Sequence, residues 1–517
     1  MTERRRVVVV TGGGGGIGAA IAESIGHTGA FVVTVDPLVS VDGAEQLPPP
    51  EETTAGRIVA AGGAARASSV SVTDGDGVRH LFDQLAEEFG GLDAVVNVAG
   101  ISRPTGFAKG SRDDWRNVLD VHLNGYRNVL AAALPLMASA GRGHILGVTS
   151  GSGWRSADAG AYSCAKRAVA SLTWQLGRHA PAGVVVNAVS PIAATRMVAA
   201  ALGGGVPAKG AATGNLSLGS MPAPEDLGPL GAHLVDDAFD ACRGRVLFAG
   251  GSEIAVIDEP RLIEVVRRGD VPAPAQLTEA ATTIALAPAQ AGQVSRGGSN
   301  ARFGKIFDTA PDDGVPASVT ASCAIAADRP EVAAALSAAL KARGVACRTV
   351  ETPDQVDDDA VVVALGGGTP SGGSGWERLL AEHDAVVEHI DTDAQWTRAA
   401  ADLGRPIRIV TVIDATTAGG RSRAQAAAQL ARAGRKATGD RVLPFAVSAE
   451  SADVDAELVA HLVCSPAATD LAGAELVTGA GWFGLRSHPR PIGSVSFGGP
   501  AVPAWFDDVL REVVAPR

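Results

Sequence analysis

The stretch VVVVTGGGGGIGAAIAESIG, residues 7–26, decides the fold. Four consecutive valines are stiff at χ1 and favour an extended strand, while the Ala/Ile-rich run after the glycines favours a helix. Strand, glycine turn and helix in that order open a βαβ unit whose turn can receive a pyrophosphate at the helix N-terminus. Gly12 would allow the tight turn, Gly16 would let the backbone approach the phosphates, and Gly18 would permit close packing of helix on strand, with Gly15 and Ile17 completing the loop. A merely flexible glycine loop would use the same residues, and the flanking strand and helix argue against it. Asp36 ends a second β-branched run, where a carboxylate can accept hydrogen bonds from both hydroxyls of an adenosine ribose and would repel a 2′-phosphate. No Arg or Lys lies within the glycine loop, so NAD is expected rather than NADP. A turn-forming Asp before Pro37 is the other account of that position.

Working outward, the chain from 6 to about 190 alternates β-branched runs with Ala-rich helical stretches, the pattern of a parallel sheet built from βαβ units. Strands are expected at 7–10, 31–35, 94–98, 144–148 and 184–188. Between 286 and 316 the composition shifts to Ala, Gly, Pro, Ser and Asp, which reads as a linker. Beyond it the alternation resumes, with strands near 319–326, 360–364 and 407–412 and a helix from Pro330. The expected fold is therefore α/β, a Rossmann-type doubly wound parallel sheet in two tandem domains, 1–285 and 317–517, joined by the linker. GHILGVTSGSGW pairs loosely with RIVTVIDATTAGG, and RGRVLFAGGSE with AGAELVTGAGW, which suggests a diverged internal duplication.

Composition narrows the function. A length of 517 residues calls for two or more domains. With 46% hydrophobic and 19% charged residues the chain can build real cores, which excludes global disorder. The net charge of -12 disfavours attraction to a phosphate backbone, so nucleic acid is not an expected partner. The apolar run at 7–10 is too short for a signal peptide, and no later stretch reaches the roughly 20 apolar residues that span a bilayer, so a soluble cytoplasmic protein is expected. The five cysteines show neither a CxxC pair nor a Cys/His cluster, and no metal site is expected.

The chemistry centres on AYSCAKRA, which holds Tyr162 and Lys166, twelve residues after Ser150. On a helix, positions i and i+4 share a face, so an ammonium beside the phenol would stabilise its phenolate. A free tyrosine titrates at about 10, and acid/base work near neutrality needs that lowered. Ser150 could hold a substrate oxygen near the phenol.

These residues, with TGGGGGIG, NVAG at 97–100 and VNAVSPIAAT at 186–195, resemble the classical short-chain dehydrogenase/reductases over about half the chain. Within that family the segments VDPLVSVDG and VHLNG are most similar to the hydroxyacyl-CoA dehydrogenase domains of multifunctional β-oxidation enzymes. The resemblance implies that Asn97 and Ala99, with Gly100, line the adenosine side of the cofactor. Ser71 and Val72 would approach the adenine, and Ile192 and Thr195, beside Pro191, would meet the nicotinamide carboxamide. Ser71 stands where an Asp is common, and Ile192 where Gly usually follows the proline. His122 falls at the position of the Asn of a catalytic tetrad; a structural histidine in a helix interior and a part in the proton relay are both open. Residues 193–225 occupy the family's substrate-loop position; their low charge suits an apolar substrate, and an unliganded Ala/Gly loop accounts for it equally well.

The second half lacks this chemistry. The chain's two tyrosines, Tyr126 and Tyr162, both precede it, its first strand runs into Ala326, Ala327, Asp328, Arg329 and Pro330 without glycines, and the GGG at 366–368 reads as a loop. Members of the resembled family commonly pair through two long helices flanking the active site. The second half is therefore expected to take a partner's place, giving an intrachain pseudo-dimer that could pair again as a homodimer. The function expected overall is NAD-dependent interconversion of a secondary alcohol and a ketone on an apolar small molecule, a hydroxyacyl thioester or a steroid-like compound. The alternatives are an NAD(H)-binding sensor or scaffold without turnover, and an independent enzyme in the second half, which no nucleophile elbow supports.

Overall fold

The computed structural model describes residues 4–154, 159–201, 221–268, 274–294, 318–367, 371–373, 375–499 and 501–515. Eight strands follow one another in the first half: β1 (Val7–Thr11), β2 (Phe31–Val35), β3 (Ala64–Ser68), β4 (Ala94–Asn97), β5 (Gly143–Val148), β6 (Val184–Pro191), β7 (Val246–Gly250) and β8 (Glu253–Asp258). The remainder are β9 (Leu262–Arg267), β10 (Ser322–Ala327), β11 (Ala346–Thr349), β12 (Ala360–Ala364), β13 (Ile407–Asp414), β14 (Val442–Ala449), β15 (Glu475–Gly479), β16 (Trp482–Arg486) and β17 (Arg490–Ser496). They form two sheets, ordered β17-β8-β7-β6-β5-β4-β1-β2-β3 and β11-β10-β12-β13-β14-β15-β16-β9. From β3 to β7 and from β11 to β15 all pairs are parallel, and each sheet ends in two antiparallel strands.

The valines of β1 are wholly buried, as a parallel strand covered by helices on both faces must be. Read from β2, each of eight strands in the first sheet has a counterpart of the same orientation in the second, and β3 is extra. The segment pairs noted in the sequence occupy matched places, β5 with β13 and β7 with β15.

The edges of the sheets are exchanged. After β8 the chain leaves the first sheet and becomes β9, which pairs with β16 of the second. After β16 it returns as β17, which pairs with β8. Helices follow the same exchange. Ala281 and Leu286 sit in the core with Cys323, Leu336 and Leu458, whereas Phe506 and Leu510 sit in the core with Val8, Ile21 and Val256. The expected division at 286–316 therefore cuts strands from the sheets they belong to, because β9 and the helices at 274–291 join the second half, while β17 and the Phe506–Val514 helix join the first. Of the expected linker, residues 286–294 are helical and 295–316 lie outside the described residues.

Between the sheets the Gly160–His179 helix packs on the Ala418–Thr438 helix, and Arg112–Leu119 on Val386–Asp402. One hydrophobic cluster spans both halves, joining Trp115, Tyr126 and Leu172 to Leu380, Ile390, Ala426 and Leu430. Polar contacts fix its register: Ser422 Oγ meets Ser171 Oγ at 3.1 Å, and Gln175 Nε2 donates to the Ala418 carbonyl at 3.2 Å. Among the described residues no helix is long and apolar enough to cross a membrane.

Truncating Leu510 to Ala should cost about 2–5 kcal/mol in a chemical denaturation curve. It should also raise hydrogen exchange in β8, far away in sequence. An unchanged midpoint would show that the exchanged helix does not support the first core.

Candidate active site

At the carboxyl ends of β1, β2, β4, β5 and β6 lies a cleft of about 1080 Å³. Gly12 and Gly16 turn through φ +65° and +55°, conformations that L side chains rarely adopt. A Cβ on Gly12 would lie 2.8 Å from the Ala99 nitrogen, and one on Gly18 would lie 2.1 Å from the Gly12 carbonyl oxygen. The glycines thus hold the loop against β4 and the Gly16–Gly26 helix against the loop, leaving the helix N-terminus open to the cleft. These spaces are the ones a dinucleotide pyrophosphate needs.

Asp36 stands beside this loop. Its carboxylate accepts the Gly14 N–H at 3.0 Å and the Leu38 N–H at 2.8 Å, so it anchors the loop and also makes the local turn that its place before Pro37 suggests. Gly15, Ile17, Ser71, Val72, Ala99, Gly100, Pro191, Ile192 and Thr195 line the same cleft. Two expected residues do not. Gly18 packs on the Gly12 carbonyl beneath the loop, and Asn97 is buried, its Oδ1 accepting the hydroxyl of Thr11, its register partner on β1 whose side chain shares the same face of the sheet, at 2.8 Å. Ser71 Oγ is 2.8 Å from Thr73 Oγ1, and the Val72 carbonyl accepts from Asn128 at 2.9 Å.

Ser150, Tyr162, Lys166 and His122 line the cleft together. Ser150 follows β5, and its hydroxyl lies near enough to the Tyr162 phenol to favour the phenolate. Lys166, a helical turn beyond Tyr162, donates from Nζ to the Val148 carbonyl at 2.7 Å and lies 5.7 Å from the phenol ring centre. The expected lowering of the phenol by this ammonium is not what the site shows. Burial raises the Tyr162 pKa, with the neighbouring Ser150 hydroxyl opposing it, and burial brings Lys166 down to about 7. Lys166 is buried and Tyr162 half-buried, and withdrawal from water disfavours each charge on its own.

His122 lies in a π-helical turn, Asp120–Asn124, between the helices Arg112–Leu119 and Gly125–Ala140. Its ring meets Tyr162 edge to face at 5.1 Å between centres. Nε2 lies 2.8 Å from the Ile101 carbonyl, which can only accept, so Nε2 carries the proton. Burial, the nearby Lys166 adding to it, takes the imidazole well below its ordinary pKa and keeps it neutral. His122 therefore braces both the loop after β4 and the phenol.

Three contributions were not foreseen. Arg196, next to Thr195 in sequence, brings its guanidinium over the glycine loop, 3.2 Å from where a Gly15 Cβ would stand. Arg103 donates to Asp42 and Asp114 and ties the 37–47 segment over the cleft. Asp384 of the second half also lines the cleft, paired with Arg127 at 2.6 Å. Of the segment 193–225, residues 202–220 lie outside the described residues.

The matching end of the second sheet is closed. The Asp328 carboxylate, at the end of β10, accepts the Gly366 N–H at 2.7 Å and so places negative charge where a phosphate would need donors. Arg423, wholly buried, pairs with Asp393 at 2.7 Å and donates to the Leu365 and Gly366 carbonyls. His389 crowds Gly366 there as His122 crowds Gly100 in the first half. Among the described residues no cluster of His, Cys, Asp and Glu could hold a metal ion.

Comparison with known proteins bears on the first half. The family model described as short chain dehydrogenase matches residues 6–202. Cis-4-hydroxycyclohexanecarboxylate dehydrogenase of Sinomonas cyclohexanicum is 36% identical over 246 residues, 46% of this chain and 93% of that protein. Acetoacetyl-CoA reductase of Cupriavidus necator is 37% identical over 137 residues, 26% of this chain and 56% of that protein. A solved short chain dehydrogenase from Mycobacterium avium is 32% identical, covers 53% of this chain and 91% of its own, and superposes with a TM-score of 0.43. Identity at this level across nearly the whole of a relative shows that the chain belongs to the short-chain dehydrogenase family, oxidoreductases that act on CH–OH groups with a nicotinamide cofactor.

Proposed function

We propose that the chain interconverts a secondary alcohol and a ketone on an apolar small molecule, with NAD as the cofactor. The observation that carries this is the meeting of Ser150, a half-buried Tyr162 and, a helical turn away, a buried Lys166 in the cleft that the glycine loop opens into. When bound, the cofactor accepts or supplies the hydride. In the oxidation direction Tyr162 takes the proton of the substrate hydroxyl, and in reduction it returns that proton to the carbonyl oxygen. Ser150 donates to the same oxygen and fixes its distance from the phenol. Lys166 offsets the charge of the phenolate as it forms, and the two ions are tolerated in that enclosure only as a pair. His122, neutral and locked to Ile101, keeps the phenol in place.

Gly15, Gly16 and Arg196 would hold the pyrophosphate, and Asp36 would accept from the adenosine ribose. The choice of NAD rests on the Asp36 carboxylate, which a 2′-phosphate would approach at the cost of like-charge repulsion. Ile192, Met197, Val198 and Met221 line the cleft with apolar groups and support an apolar substrate. A cyclic secondary alcohol and a hydroxyacyl thioester are the first candidates, given what the relatives are named for. The second half takes the place of a partner subunit, which the single hydrophobic cluster across both halves supports.

Turnover across a panel of hydroxyacyl thioesters, steroids and cyclic alcohols tests this reading. Tyr162→Phe should lower kcat by about 10²- to 10⁴-fold while NADH still binds, seen by fluorescence titration; unchanged turnover would rule the mechanism out. Because burial raises the phenol pKa and oxidation requires the phenolate, log kcat/KM for oxidation should climb with pH from neutrality upward. A profile that falls over that range would contradict the assignment of the base. Asp36→Asn should reduce the preference for NAD over NADP by roughly tenfold or more, read as the ratio of the two kcat/KM values.

A further inference from the structure

In the segment just after Ser150, three successive carbonyls each accept a side-chain donor. The Ser152 carbonyl accepts from Gln429 Nε2 at 2.9 Å, the Gly153 carbonyl from Arg167 Nη1 at 3.3 Å, and the Trp154 carbonyl from Arg432 Nη1 at 2.8 Å. Gln429 and Arg432 belong to the Ala418–Thr438 helix of the second half. Arg167 belongs to the first half, but the second half aims it: Gln425 Oε1 accepts from its Nε at 2.9 Å, and Glu475 pairs with its Nη2 at 2.6 Å. That ion pair is almost fully buried, and His488 Nδ1 approaches the same Glu475 oxygen at 2.8 Å.

The loop held in this way bears directly on the reacting groups. A Cβ on Gly153 would lie 3.0 Å from the Arg167 nitrogen and 3.2 Å from the Lys166 carbonyl carbon, so the loop rests on the backbone of the helix that carries Tyr162 and Lys166. Ser150 Oγ also accepts the Ser152 N–H at 3.3 Å. A shift of Ser152 therefore moves the Ser150 hydroxyl, which lines the cleft beside the phenol. A carbonyl left without its donor in such surroundings costs free energy, so the loop has one favoured position as long as all three donors are present.

We infer that Gln429 and Arg432 are positioning residues for the Ser150 loop, with Glu475 acting through Arg167, so that the second half completes the catalytic geometry of the first. The inference rests on the role proposed for Ser150 and Tyr162. A second half that only covered an apolar face would need none of these donors at three consecutive carbonyls.

The test uses the full chain with Gln429→Met, Arg432→Met, their combination, Arg432→Lys, and Lys436→Ala as an exposed control on the same helix. Hydrogen exchange by mass spectrometry should show faster exchange in the peptide holding residues 150–154 for the Met variants, with the 160–179 helix unchanged. Turnover should show kcat reduced roughly tenfold to a hundredfold for the double variant, with substrate KM and the NADH dissociation constant within about twofold. Arg432→Lys keeps one donor and should recover part of the loss, and Lys436→Ala should move neither readout. Unchanged exchange at 150–154 would overturn the clamp. Faster exchange there with unaltered kcat would overturn its catalytic consequence, as would loss of NADH binding in parallel with kcat. The exchange readout is independent of turnover, so an enzyme that fails the Tyr162→Phe test defeats the functional reading and leaves the clamp to be judged separately.

Discussion

The Gly160–His179 helix must be buried on two sides at once, and the rest of the structure depends on meeting that demand. One side carries Tyr162 and Lys166 toward the cleft, and the other carries Ser171 and Gln175 toward the second half. Sixteen of its twenty residues are buried, which leaves almost no solvent face. A helix of this kind exposes a large apolar surface unless something covers it. Small residues on the opposing helix, Ala418 and Ser422 among them, meet Gln175 and Ser171 and let the covering helix approach closely.

Burial also sets the electrostatics. An exposed lysine one turn from a tyrosine would remain fully charged and acidify it. Here the enclosure that positions the two groups weakens the charge of each, and the Lys166 ammonium finds its partner in the Val148 carbonyl. At Glu475 the balance goes the other way. Burial raises its pKa, but Arg167 and His488 pull it down to about 2, so the carboxylate stays ionised inside the protein. The stability it carries is present above the ordinary carboxylate range and is lost only as pH falls through that lowered value.

Much of this was legible in the order of residues. Valines before glycines announced β1 and its loop, and the spacing of Ser150, Tyr162 and Lys166 announced a shared site, because both rest on local geometry. The exchange of β9 and β17 was not legible. LIEVVR reads as an edge strand in any sheet, and nothing within it names the sheet it joins. Arg196 escaped because its meaning comes from reaching a loop far away in the chain, and Asn97 was assigned to the cleft because its motif does not say which face of β4 its side chain takes. The direction of the Tyr162 shift required knowing that both partners are enclosed, which spacing alone does not convey.

The reciprocal passage of β9 and β17 ties each lobe into the other's sheet by a continuous backbone. In an assembly of separate subunits, dilution removes the neighbour, along with whatever it contributes to a reaction centre. Here the contributor is covalently present at every concentration. The side chains of the second half that donate around Ser150 are thereby supplied at any dilution, without mass action.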